Sequence, residues 1–196
     1  MRWIVCALSL LGCWPVLASG ATVWPSSVTT DMVTRADFVP DNTMNNIANT
    51  IDGNSSTGIV TEIATGDVSY SFAPAVSGAN GFLIWNNAGF LFDDGESIGK
   101  LDISVLDGAS AVLFSATDVV VPEGAAGDPF LISFPSTLDG IAKVNLKIKA
   151  NTNTPFPSMD GVAWRDVALN VVPEPTSLGV VGAIGLLAAV RRRRRC

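Results

Sequence analysis

Asp52, Gly53, Asn54 and Thr57 lie within six residues of one another and bring a carboxylate, an amide and a hydroxyl to one glycine-containing loop. Oxygen donors of this kind are what a hard cation such as Ca²⁺ prefers. The spacing is not that of an EF-hand, because Thr57 stands sixth from Asp52, where that loop needs glycine, and Ile63 stands twelfth. The same residues also spell an ordinary Asp-Gly-Asn turn, in which Asx side chains bond their own backbone. A second acidic run, Asp93-Asp94-Gly95-Glu96, reads first as a solvated hairpin turn.

Aromatic residues offer a different chemistry. Trp85 is followed by Asn86 and Asn87, and an indole face flanked by amides can stack on a sugar ring while pairing with its hydroxyls. Trp85 also ends an apolar run, so a place in the core is the competing reading, and Trp164 carries the same ambiguity. Phe90 and Phe92 sit in a stretch rich in Gly and Asp, where loop aromatics face ligands. Trp24-Pro25 reads as a pin for an N-terminal strand.

Several mechanisms are missing their parts. The chain has no histidine, which removes Ser-His-Asp and Cys-His nucleophiles, imidazole bases and the usual zinc sites. It has no Walker loop and no dinucleotide fingerprint. Paired carboxylates can cleave glycosides without histidine, but a chain this acidic holds many pairs by chance. The expectation is a protein that is not an enzyme.

The two ends of the chain concern topology. Arg2 precedes an apolar run from Trp3 to Leu11, and small residues follow at Ala18, Ser19, Gly20 and Ala21. That is a secretory signal peptide, residues 1–21 at its longest, open to signal peptidase after Ala18 or after Ala21. At the other end, Val172-Pro173-Glu174-Pro175 leads into Thr176–Val190, fifteen residues without a charge. As a helix that stretch is about 22 Å long, a short transmembrane span beside the roughly 20 residues of a full one. Arg191, Arg192, Arg193, Arg194 and Arg195 follow, and can snorkel to the head groups while holding the tail on the cytoplasmic side. Everything before Val172 is then outside.

This tail resembles the PEP-CTERM sorting signal of Gram-negative bacteria, with triplet, apolar helix and arginine cluster in that family's order. The resemblance covers residues 172–196 and implies an exosortase as processing partner, export through the inner membrane, and release to the cell surface or extracellular matrix. Cys196 lies outside the pattern.

Between the ends, residues 22–171 form one domain by length. The whole chain carries a formal charge of -6, but without Arg2, the five tail arginines and Glu174 the domain keeps 6 basic and 17 acidic residues, a net of about -11. Such a surface argues against nucleic acid as a partner. Cys6, Cys13 and Cys196 all lie in the ends, so the exported domain holds no disulfide and rests on its core or on a metal.

Its segments are short and alternate. Lys143–Lys149 and Leu101–Val105 switch polar and apolar at every residue, as half-buried strands do. Asp67–Phe72, Gly81–Trp85, Ala111–Phe114, Thr117–Val121, Phe130–Phe134 and Val162–Val171 are further strand candidates. Ser77-Gly78, Asp107-Gly108 and Asp139-Gly140 are turn signals between them. The pattern predicts an all-β fold, an antiparallel β-sandwich of jelly-roll type.

The order of these segments resembles discoidin-like (F5/8 type C) domains, which are galactose-binding-like sandwiches. The segment Asp52-Gly53-Asn54 with Thr57, the strand ending Trp85-Asn86-Asn87, the Ser104–Gly108 turn and the closing strands carry the likeness. The family's tryptophan after the first segment is replaced here around Ile59-Val60. The resemblance implies a structural Ca²⁺ on the Asp52, Asn54 and Thr57 loop, closed by Asp166, where the family usually has Glu. It also implies binding of extracellular polysaccharide through Trp85, Asn86, Asn87, Phe90 and Phe92. The alternatives are a purely structural surface protein without a ligand and a polysaccharide-active hydrolase.

Overall fold

The computed structural model describes residues 20–35, 46–54, 56–86, 97–124, 128–152 and 161–172. Within them the chain runs β1 (Ala21–Val23), β2 (Ser27–Thr30), a 3-10 turn (Ile47–Thr50), β3 (Ile59–Val60), β4 (Gly66–Val76) and β5 (Ala79–Ile84). It continues β6 (Ile98–Asp107), β7 (Val112–Val120), β8 (Phe130–Leu138), β9 (Ile141–Asn151), β10 (Ala163–Trp164) and β11 (Val167–Val171). One sheet has the order β1-β11-β5-β8, the other β2-β4-β9-β6-β7, and β3 pairs with β10 in a small ribbon. All the strand pairs are antiparallel. The expected all-β sandwich is the fold.

Alternation decides which side of each strand is buried. In β9 Val144, Leu146 and Ile148 point inward while Lys143, Lys147 and Lys149 face water. β6 does the same with Leu101, Ile103 and Val105. Their side chains meet the inner face of the opposing sheet, where Phe82, Ile84, Val167 and Leu169 are fully buried. Tyr70 on β4 and Phe82 on β5 approach to 6.2 Å between ring centroids, and Phe114 on β7 meets Phe134 on β8 at 5.0 Å. These apolar contacts between the sheets supply the main stabilisation of a domain with no disulfide.

The predicted turns close where expected. Gly78 and Gly140, with φ of 77° and 72°, turn the chain between β4 and β5 and between β8 and β9, in a region that favours glycine.

Two strand boundaries differ from the sequence expectation. Ala111–Phe114 and Thr117–Val121 are one strand, β7, because Ser115 and Ala116 continue the pairing with β6. The apparent break is a bulge: Asp118 takes φ of 54° and the register shifts between the Ile103–Ala116 and Leu101–Val119 pairs. Conversely, Val162–Val171 is not one strand. It is interrupted at Arg165-Asp166, where the Arg165 N–H donates to the Trp85 carbonyl and the Trp85 N–H donates to the Asp166 carbonyl, both at 2.9 Å.

The domain begins and ends side by side, with Ala21 paired to Val171. A leader cut after Ala18 leaves β1 whole, whereas a cut after Ala21 removes its first residue. The Val172 N–H still bonds the Gly78 carbonyl at 2.9 Å, so hydrogen bonding to the sandwich continues one residue past β11. The leader, Pro173, Glu174, Pro175, the apolar stretch and Arg191–Arg195 lie outside the described residues, as do Asn87, Phe90, Phe92 and the Asp93–Glu96 run. Among the described residues no helix is long and apolar enough to cross a membrane.

Candidate metal and ligand site

The Asp52 loop follows the 3-10 turn and folds on itself. Asp52 Oδ1 accepts from the Asn54 N–H at 2.8 Å, and Asp52 Oδ2 accepts from the Thr57 hydroxyl at 3.0 Å. Asn54 Oδ1 accepts from the Ser56 N–H at 3.1 Å, and the Asn54 carbonyl accepts from Thr57. Gly53 sits at φ of 73°, and a Cβ there would come within 3.3 Å of the Trp24 ring. That φ favours glycine, and a side chain there would crowd the Trp24 ring.

Asp166 meets this loop from the break between β10 and β11. It has no solvent exposure, and its Oδ1 accepts from the Gly53 N–H at 3.3 Å. Its Oδ2 is buried with no hydrogen-bond partner. Burial, reinforced by the charge of Asp52, pushes the Asp166 carboxyl up to about 7; the Gly53 N–H and Arg165 pull the other way without offsetting it. Two carboxylates separated by more than a hundred residues in sequence thus converge, one of them with an oxygen that nothing satisfies. A buried carboxylate oxygen in this state calls for a proton or a cation.

The donor set fits a hard cation. It consists of carboxylate, amide, hydroxyl and backbone oxygens, without nitrogen or sulfur. Among the described residues no three His, Cys, Asp or Glu side chains gather to hold an ion, so only two of the donors here carry charge.

The aromatic candidates separate. Trp164 is core: it is 1% exposed and its indole N–H donates to the Tyr70 hydroxyl at 2.9 Å. Burial raises the Tyr70 phenol far above the ordinary tyrosine range, so it stays neutral there. Asn86 is also internal. Its amide donates to the carbonyls of Ile98 (2.8 Å) and Pro122 (3.1 Å), and its Oδ1 accepts from the Ile98 N–H at 2.8 Å. With no exposure and its amide engaged by backbone, it tethers the strand end and does not face a ligand. Trp85 is half-buried and lies 5.1 Å from Trp24, centroid to centroid, with the rings tilted by 30°. Sequence reasoning gave Trp24 only a pinning role. Its proximity to Gly53 and Trp85 joins the aromatic pair to the acidic loop, and nothing in the local sequence signals that.

The fold is that of a known class. It is similar to the F5/8 type C domain of a Bacteroides fragilis protein (TM-score 0.55, 14% identity, covering 81% of this chain and 99% of that one). It is also similar to the family 32 carbohydrate-binding module of C. perfringens NanJ, solved with galactose (TM-score 0.55, 12% identity, 76% and 98%). A third likeness is to a fucose-binding module of Streptococcus pneumoniae (TM-score 0.51, 13% identity, 77% and 98%). At these identities the likeness establishes a discoidin-like sandwich. Residues 171–195 match the PEP-CTERM protein-sorting motif, so the chain carries an exosortase-type sorting signal immediately after that sandwich. No curated protein matches the sequence closely enough to count as a relative.

Proposed function

We propose that this is an exported surface or matrix protein, sorted by an exosortase, whose sandwich binds or organises extracellular polysaccharide and is steadied by Ca²⁺ at the Asp52 loop. The observation that carries the reading is the junction at Val171–Val172, where a discoidin-like sandwich passes directly into the sorting motif. The polysaccharide part is supported by the carbohydrate-binding modules that share the fold. The calcium part is supported by the unpartnered, buried Asp166 Oδ2 beside Asp52. Asp52 and Asp166 would hold the ion, with Asn54, Thr57 and loop carbonyls completing its oxygen shell; its role is to neutralise two converging acids and fix the loop beneath Trp24.

The experiment for sorting is the replacement of Pro173-Glu174-Pro175 by three alanines. An uncut precursor kept in the inner membrane is expected, whereas release of a normally shortened product would end the sorting reading. For ligand binding, the released protein is assayed for retention in gels containing polysaccharide. Free migration through neutral and acidic polysaccharides alike would favour the purely structural alternative.

A further inference from the structure

The outer face of the five-stranded sheet carries a trough of about 610 Å³. Its floor is a single row running across every strand of that sheet. Thr29 on β2 pairs with Ser69 on β4, Ser69 with Asn145 on β9, Asn145 with Ser104 on β6, and Ser104 with Ser115 on β7. Directly paired residues of antiparallel strands share a face, and the inward neighbours Val68, Tyr70, Val144, Leu146, Ile103 and Val105 are all buried. The five floor residues therefore point outward together. Each is short, polar and uncharged, and Ser69 hydroxyl and Asn145 amide oxygen are bonded to each other.

The row on one side is larger and charged. Asp67, Lys147 and Asp102 pair in sequence across β4, β9 and β6 to make one bank. Lys143 and Leu106, paired across β9 and β6, stand on the other side of the row. The charges on the first bank alternate, and Lys149 bridges Asp102 and Asp118 at 3.2 and 2.8 Å. With Asp31, which also lines the trough and accepts from the Asp67 N–H, this bank sets three carboxylates against Lys147 and keeps a net negative charge that disfavours an acidic chain.

We propose that this trough is a binding site for an extended, uncharged, linear polysaccharide lying across the strands. It lies on the flat of the sheet and is built without the aromatic pair and acidic loop. Four strand gaps of about 4.8 Å give a floor about 19 Å long, and each gap is comparable with one sugar ring. Hydroxyl and amide groups repeated at that interval match a ligand that repeats hydroxyls. The outward row itself carries no large apolar side chain, while Val68, Ile103, Ala116 and Leu146 line the trough beside it. None of the trough residues is aromatic, so no ring stacking concentrates affinity on a single sugar. Binding then depends on chain length.

The inference rests on the polysaccharide reading above, and the test separates the two. Released wild-type protein is run through gels containing hydroxyethyl cellulose or glucomannan, with alginate as the acidic comparator. Ser104→Phe and Ser115→Phe fill the trough on a central and an edge strand, and their melting curves show whether the fold is kept. Retention by a neutral chain, about tenfold weaker in either folded filled variant and poorly competed by the free disaccharide, is the expected result. Unchanged retention in a folded filled variant overturns the trough but leaves polysaccharide binding standing. Retention lost only in Trp85→Ala does the same and moves the site to the loop end. Retention by alginate alone also overturns it, and retention by none of the three removes both readings.

Discussion

Two aspartates stand at irregularities in strands, and their surroundings are opposite. Asp118 makes the bulge in β7, has a side chain 61% exposed, and accepts a 2.8 Å hydrogen bond from Lys149. Its backbone N–H donates to Asp102 Oδ1, and this bond together with Lys149 holds the Asp102 carboxyl below the usual range. Asp166 marks the break between β10 and β11, is fully buried, faces a second acid, and has one oxygen without a partner. The first arrangement is complete as it stands, supplied with solvent and a cationic neighbour. The second lacks both. A strand irregularity can thus be a local accommodation or a device that delivers a charged group to a site, and burial with charge balance tells them apart.

The largest effect that separates the two is the response to pH without metal. Asp166 is raised from 3.8 to about 7 in the folded state, so the folded protein binds the proton more tightly than the unfolded chain. Its contribution is therefore full below about pH 4 and is lost as pH rises toward about 7, a decline on the order of 4 kcal/mol at most. Asp102 has the reverse sign, with stability lost as pH falls. In chelator, the melting midpoint of wild type relative to Asp166→Asn is expected to fall between those pH values; a flat difference would show that Asp166 does not titrate there.

Calcium comes next. An ion that binds only the native state adds about 2.7 kcal/mol at a hundredfold excess over Kd, or several degrees for a domain of this size. The midpoint should rise with Ca²⁺ and fall with chelator, more at pH 8 than at pH 5, because a proton on Asp166 competes with the ion. Asp52→Ala should abolish the response and Asp118→Ala should keep it. Equal responses in those two variants would erase the distinction between the regions.

The smallest effect belongs to the exposed cluster. Lys149→Met should shift the midpoint by about 2 °C at most, since salt bridges this exposed contribute little, and should leave the calcium response unchanged. A larger fall would mean that the β7 bulge depends on its lysine.

Strand positions were largely legible because alternation is a local property, plain in Leu101–Val105 and Lys143–Lys149. The Asp-Gly turns were legible for the same reason. The two misread boundaries were not, because β7 is held continuous through Asp102, sixteen residues before Asp118, and β10 and β11 are parted by a backbone clasp to Trp85. Asn86 read as a ligand amide because it follows a tryptophan; only Ile98 and Pro122, far along the chain, reveal it as an internal tether.

The sequence by itself determined the sandwich class, the absence of imidazole and disulfide chemistry from the exported domain, and the sorting motif, since these depend on composition and on patterns read along the chain. The tertiary structure alone decided that Asp166 reaches Gly53 across 113 residues, that Trp24 lies against Trp85, and that Thr29, Ser69, Asn145, Ser104 and Ser115 form one row. Those relations follow from register between distant strands. Register is fixed by how the two sheets bury their apolar faces together, a property of the packed molecule that no local stretch of sequence contains.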